Sequence, residues 1–144
     1  MLRAVGDSRP DAIVHLGDYC RDTAPLVKNY PDIPLYGVKG NGDLASGEDT
    51  EKLVTLGGTR FFLTHGHLYG VKSGLSALIE AAKSQGADAV LFGHTHRAHM
   101  SYSRGIYVIN PGAAGSYGVR SWAELIVDEK GPGILTCTHR SFEE

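Results

Sequence analysis

Apolar residues along this chain come in short runs that end abruptly at glycine, and the period of the pattern changes as the chain proceeds. Met1 to Val5 reads as the tail of a helix that Gly6 stops, with Pro10 just beyond. Asp11 to Leu16 reads as a short buried strand ending at Gly17-Asp18, and Leu35 to Lys39 as a second strand ending at Gly40-Asn41. Between them, residues 22–29 fit a short helix with Asp22 or Thr23 as its cap and Pro25 in the first turn. Lys52 to Leu56 and Arg60 to Thr64 form the strands of a hairpin across Gly57-Gly58-Thr59. Residues 73–84 place Leu75, Leu78, Ile79 and Ala82 at helical spacing. Ala87 to Phe92 is nearly all apolar, as expected of a strand covered on both faces. Met100 to Tyr102 and Ile106 to Ile109 pair across Ser103-Arg104-Gly105. After a turn at Asn110-Pro111-Gly112, Trp122 to Asp128 and Gly133 to His139 make a last antiparallel pair.

Strand–helix units come first and hairpins later, which predicts a mixed α/β arrangement with an antiparallel portion. The 144 residues suffice for one domain, 1–144, with its own core. A net charge of −2 leaves no electrostatic footprint for sequence-independent nucleic-acid binding, so a DNA nuclease is disfavoured. Cys20 and Cys137 are too few for a disulfide framework and form no Cys-x-x-Cys pair. They are expected to be reduced thiols of a cytoplasmic protein. No apolar stretch reaches the roughly 20 residues of a bilayer span, and the N-terminus has no signal-peptide core, so no membrane partner is expected. Most of the 19 glycines stand at strand ends, where they predict tight turns and close backbone approach.

The chemistry sits at those strand ends. Gly17-Asp18, Gly40-Asn41-Gly42-Asp43, Thr64-His65-Gly66-His67 and Gly93-His94-Thr95-His96 each close a strand-like run. Asp18, Asn41, His65 and His94 are separated by 23, 24 and 29 residues, close to one strand-plus-crossover period of about 30 residues. That spacing delivers oxygen and imidazole donors to one edge of a sheet, where open α/β proteins gather their ligands. Singly the rungs are weak. Gly17-Asp18 and Asn41 each have a plain turn or capping reading. Two histidines buried without partners would carry a desolvation cost, which favours a ligand role for His94 and His96. His15 reads as structural, and His99 and His139 as surface residues.

Gly-Asp, Gly-Asn-x-Asp, Thr-His-Gly-His, Gly-His-Thr-His and Asn-Pro-Gly, in this order, resemble the calcineurin-like metallophosphoesterases, in particular their small bacterial and archaeal phosphodiesterase branch. The resemblance runs from Asp11 onward. It implies a β-sandwich of two mixed sheets flanked by helices, four layers in the order α/β/β/α, here without its first strand. It also implies phosphodiester hydrolysis by a metal-activated hydroxide on a small-molecule phosphoester. By match, Asp18 bridges two divalent metals, Asn41, His65 and His94 complete one ligand set, and His96 belongs to the other. Asn41 and His67 are carried over as catalytic and substrate-binding positions, His67 either contacting the phosphate or protonating the leaving group. Manganese is the first expectation for the metal, with iron, zinc, nickel or cobalt as alternatives.

Two departures bear on mechanism. Some phosphatases of the superfamily place a proton-donating histidine directly after the Asn, where this chain has Gly42. The family's Asp-x-His box, which supplies two further ligands to the second metal, has no counterpart in these 144 residues. The second set then keeps only Asp18 and His96, so weak or absent two-metal hydrolysis is expected of this form. A missing strand also bares a sheet edge, which predicts a homo-oligomer. The competing reading is a non-catalytic protein-interaction scaffold on the same fold. A zinc peptidase would need a His-Glu-x-x-His helix, which the chain lacks.

Overall fold

The computed structural model describes residues 2–17, 23–43, 49–113 and 121–141. Helix α1 spans Leu2–Ser8, β1 Ile13–His15, α2 Ala24–Asn29 and β2 Leu35–Gly37. The hairpin β3 (Glu51–Leu56) and β4 (Thr59–Thr64) is followed by helix α3 (Ser76–Ser84) and β5 (Ala89–Leu91). A second hairpin, β6 (Ala98–Ser103) and β7 (Ile106–Pro111), precedes β8 (Ser121–Val127) and β9 (Ile134–Ser141).

The central sheet has the order β3-β4-β5-β7-β6, with β5 parallel to both neighbours and a hairpin on either side. Its two faces feed two cores. Phe61, Leu63, Ala89, Leu91 and Ile109 point to one side and Phe62, Val90, Ile106 and Val108 to the other, the period-two alternation of a strand buried on both faces. Leu78, Ile79 and Ala82 of α3 cover the second side. The first side meets Val14, Leu16, Tyr36 and Val38 around β1 and β2, together with Leu125, Val127, Ile134 and Cys137 of β8 and β9. Glu124, on the outward face of β8, accepts a 2.5 Å hydrogen bond from the Ser8 hydroxyl. Helix α1, with α2 against it, therefore forms the outermost layer.

The result is the expected α/β/β/α layering, with one difference in the second β layer. Among the described residues it consists of a parallel pair, β1–β2, and an antiparallel pair, β8–β9, that share no ladder hydrogen bonds with each other. No helix among the described residues is long and apolar enough to cross a membrane. Burial in the sandwich pushes the Cys137 thiol upward, which keeps it protonated at neutral pH. Cys20 lies outside the described residues.

Two local expectations are corrected. Gly6 does not stop α1, which continues to Ser8 and ends at Arg9 in a left-handed conformation, φ 47°. A Cβ on Gly6 would stand 2.8 Å from the Tyr30 hydroxyl, so this glycine serves close packing against the end of α2. Asn110 and Pro111 are not turn residues. They belong to β7, paired with His99 and Ala98, and the chain turns at Gly112, φ 84°.

Leu78 is fully buried between α3 and the sheet. Leu78→Ala is expected to destabilise the domain by about 2–5 kcal/mol through lost burial and a residual cavity. Val27→Ala, at a side chain 54% exposed on α2, should stay within about 0.5 kcal/mol. Urea unfolding of the two variants checks the contrast.

Candidate metal centre

The alternation that fills the sandwich also delivers the chemistry. Leu16, Val38, Leu63 and Leu91 pack into the core between the β layers, and Gly17, Gly40, His65 and Gly93 follow one or two residues later, at the carboxyl ends of β1, β2, β4 and β5. These ends converge closely. A Cβ on Gly17, φ 103°, would fall 2.7 Å from Gly40 N and 2.8 Å from His65 Cδ2. A Cβ on Gly93 would meet Leu16 O at 3.5 Å and the same His65 carbon at 3.6 Å. Glycine at position 17 lets the end of β1 sit against the end of β2 and the His65 ring with no Cβ in the way.

Three imidazoles gather there. His65 is 1% exposed, with its ring centroid 5.2 Å from His67 and 4.9 Å from His94, while His67 and His94 are 6.1 Å apart. Nδ1 of His65 lies 3.1 Å from Nδ1 of His67, so one of the two donates and the other accepts. His67 opens a 3-10 turn, His67–Tyr69, bracketed by Gly66 at φ 100° and Gly70 at φ 60°. A Cβ on Gly66 would press on Val71 at 3.1 Å.

The turn is braced from outside. The Tyr69 hydroxyl donates to Glu51 Oε2 at the start of β3, and the Tyr69 ring meets Phe62 edge-on at 6.2 Å. Burial, followed by the hydrogen bond and charge of Glu51, pushes the Tyr69 phenol from 10.0 up to about 12.

His94 and His96 both occupy left-handed backbone, φ 66° and 59°. For a non-glycine residue that conformation costs roughly 1–2 kcal/mol. The two side chains go different ways. His94 joins His65 and His67, while His96 is exposed and lines a cavity of about 410 Å³ with Arg97, Ser121, His139 and Arg140.

The remaining candidates are placed unevenly. Asp18 lies outside the described residues. Asn41 is exposed on a turn that Asp43 closes, the Asp43 carboxylate accepting from Gly40 N–H at 3.0 Å. Among the described residues, no three His, Cys, Asp or Glu side chains already form a metal-holding group. The donor chemistry of the cluster nonetheless fits a divalent transition metal: three imidazoles in ring contact. His15 is half-buried, and its Nδ1 accepts from Gly17 N–H at 3.4 Å.

Two histidines expected at the surface are instead half-buried. His99 is hydrogen-bonded to Ser101 and meets Phe92 edge-on, and His139 Nε2 donates to the Asn110 carbonyl at 2.7 Å. Asn110 was legible by the same signal as the other rungs, a polar residue closing an apolar strand. The Tyr69–Glu51 brace has no such signal, because the two residues are 18 positions apart.

The chain is similar to known proteins over most of its length. The family model of the calcineurin-like phosphoesterase superfamily domain matches residues 1–129. The Bacillus subtilis (strain 168) protein named "Probable metallophosphoesterase YsnB" is 37% identical over 108 residues, which are 74% of this chain and 61% of that protein. Vacuolar protein sorting-associated protein 29 of Schizosaccharomyces pombe is 35% identical over 115 residues, 74% of this chain and 62% of its own length. A Streptococcus pneumoniae TIGR4 crystal structure, described as a "predicted phosphoesterase", aligns with a TM-score of 0.72 at 26% identity. That alignment covers 97% of this chain and 86% of the other. The chain spans about three-fifths of the length of the curated relatives it matches.

The Tyr69 brace has a pH signature. Its neutral phenol is the form the fold favours, so the stabilisation is complete below about pH 10 and is lost as pH rises through about 12. An absorbance titration of tyrosinate should show one group near 12 that Tyr69→Phe removes. Glu51→Gln should lower it toward 10 without reaching it, since burial persists. A Tyr69 that titrates at 10 in the native protein contradicts the brace.

Proposed function

The chain belongs to the calcineurin-like phosphoesterase superfamily, and from that premise we propose that it is a metal-dependent phosphodiesterase whose second metal set is incomplete on these 144 residues. The observation that carries the reading is the convergence of His65, His67 and His94 at the carboxyl ends of β4 and β5, against the glycine ends of β1 and β2. Asp18, Asn41, His65 and His94 would hold one divalent ion, manganese by preference, with His96 turned toward a second position. A bound ion supplies Lewis-acid polarisation of the phosphoryl oxygens and a hydroxide nucleophile at neutral pH.

The chain's own groups do the rest. His65, nine-tenths buried and more, is fixed against His67 and His94 before any ligand arrives, which lowers the cost of assembling the shell. His67 is half-buried and in ring contact with His65 and His94, so a phosphate held by the cluster would come within its reach. There it can hydrogen-bond a non-bridging oxygen or give a proton to the leaving oxygen. With Gly42 following Asn41, no imidazole stands at that alternative donor position. Good leaving groups are then the favoured substrates.

A second reading, a protein-interaction scaffold, is supported by the 35% identity to a vacuolar protein sorting-associated protein. The two readings differ in what the histidines must do. Isothermal titration with Mn²⁺ should find one principal site that His65→Ala and His94→Ala weaken by at least about tenfold and His96→Ala leaves in place. Hydrolysis of an activated aryl phosphodiester should be slow, Mn²⁺-dependent and lost in His94→Ala. Failure to bind Mn²⁺ overturns the enzymatic reading, and turnover comparable to that of complete two-metal relatives overturns the incomplete second set.

Self-association belongs to the same reading. Strand β6 is an edge of the central sheet, and Met100 and Tyr102 on it are 42% and 63% exposed. An apolar edge strand of this kind is a surface that chains cover by pairing. Light scattering at micromolar concentration should return a dimer mass or higher, and a monomer mass removes this part.

A further inference from the structure

The turn that carries His94 and His96 holds two residues in left-handed backbone, and a conformation of that kind persists only where its surroundings over-determine it. The structure assigns this task to the side chain of Asn110, with the Thr95 hydroxyl as its relay. Asn110 is 0% exposed in β7. Its Nδ2 donates to the Gly93 carbonyl at 3.0 Å and to Thr95 Oγ1 at 3.1 Å, and its Oδ1 accepts from Gly112 N–H at 2.9 Å. Both amide hydrogens and the amide oxygen are used, and the carbonyl acceptor fixes which way the amide faces.

Thr95 Oγ1 also accepts from Arg97 N–H at 3.2 Å. One buried amide thus reaches the residue before His94, the residue between the two histidines and, through that hydroxyl, the residue after His96. The anchor is itself held from the opposite layer, since His139 on β9 donates to the Asn110 carbonyl. Aspartate at this position would keep the acceptor and lose both donors. Serine would reach one partner at most. Asn110 and Thr95 are therefore positioning residues: they set His94 against His65 and send His96 toward the cavity that it lines with Arg97 and His139.

For metal affinity the inference rests on the metal-centre reading, while the loop geometry stands without it. The test uses the metal-free 144-residue protein, followed by Co²⁺ addition. Imidazole ¹H–¹⁵N resonances of His94 and His96 are compared in wild type, Thr95→Val, Thr95→Ser and Asn110→Asp, with circular dichroism to verify folding. Thr95→Ser keeps the hydroxyl and should retain both sets of resonances. Thr95→Val and Asn110→Asp should shift both histidines and weaken Co²⁺ binding by about tenfold.

Wild-type resonances of His94 and His96 in a folded Thr95→Val and Asn110→Asp overturn the inference. Should Asn110→Asp not fold, Thr95→Val at its half-buried site decides alone, with rescue by Thr95→Ser as the control. Should the wild type bind no Co²⁺, the metal-centre reading fails, and the metal-free resonances still decide the role of Asn110 and Thr95.

Discussion

Two β layers ordinarily pack about 10 Å apart because side chains fill the space between them. Where the carboxyl end of β1 meets those of β4 and β5, that spacing narrows. Gly17 faces Gly40 and His65 with no room for a Cβ, and Gly93 rests on Leu16 and His65. The narrowing is possible because the filling stops just behind it: Leu16, Val38, Leu63 and Leu91 are all buried one or two residues earlier. Each contributes roughly 1.5–3 kcal/mol by leaving water, and together they hold the strand ends in place. Core and site are one construction, in which the last apolar layer presses the backbones together and the next residues on each chain become neighbours.

Polar groups at both ends of the sandwich are then accounted for rather than left over. At the end away from the histidines, Thr59, 0% exposed, exchanges hydrogen bonds with the Gly133 carbonyl and N–H, tying β4 to the start of β9. At the histidine end, Asn110 does the corresponding work between β7, the Gly93–Arg97 turn and β9. Each such bond adds only about 1 kcal/mol net, yet a broken one strands a buried donor or acceptor at a cost of about 1–3 kcal/mol. That asymmetry makes the polar knots specific: alternative arrangements of the turns lose more than they gain.

How far the sequence carries depends on which interactions are local. The Gly57-Gly58 hairpin, the α3 face of Leu78, Ile79 and Ala82, and the doubly covered β5 follow from period and turn chemistry, and the structure has them. The approach of His65, His67 and His94 at the ends of β4 and β5 was legible too, because each closes an apolar strand; Asp18 lies outside the described residues, and Asn41 sits exposed on its turn. Gly6 was misread because a glycine reports only that a Cβ is unwelcome, and the group that excludes it, Tyr30, lies across a tertiary contact. Asn110-Pro111 was read as a turn for a related reason: its turn-forming composition is overridden by pairing with Ala98 and His99. The half-burial of His99 and His139 and the Tyr69–Glu51 brace are set by partners distant in sequence, which no local pattern encodes.

The His-Thr-His segment is where these strands of argument meet. In extended backbone, residues two apart project to the same face, so an ordinary strand end would send His94 and His96 the same way. Left-handed backbone at both positions breaks that rule. One ring turns inward to His65 and His67, and the other outward to the cavity beside β8 and β9. A pentapeptide can thus present two imidazoles in different directions, but only if something outside it absorbs the strain. Glycine would adopt the conformation freely and carry no imidazole. The chain keeps the histidines and places a buried amide beneath them, which exchanges intrinsic backbone preference for hydrogen bonds supplied by the neighbouring strand.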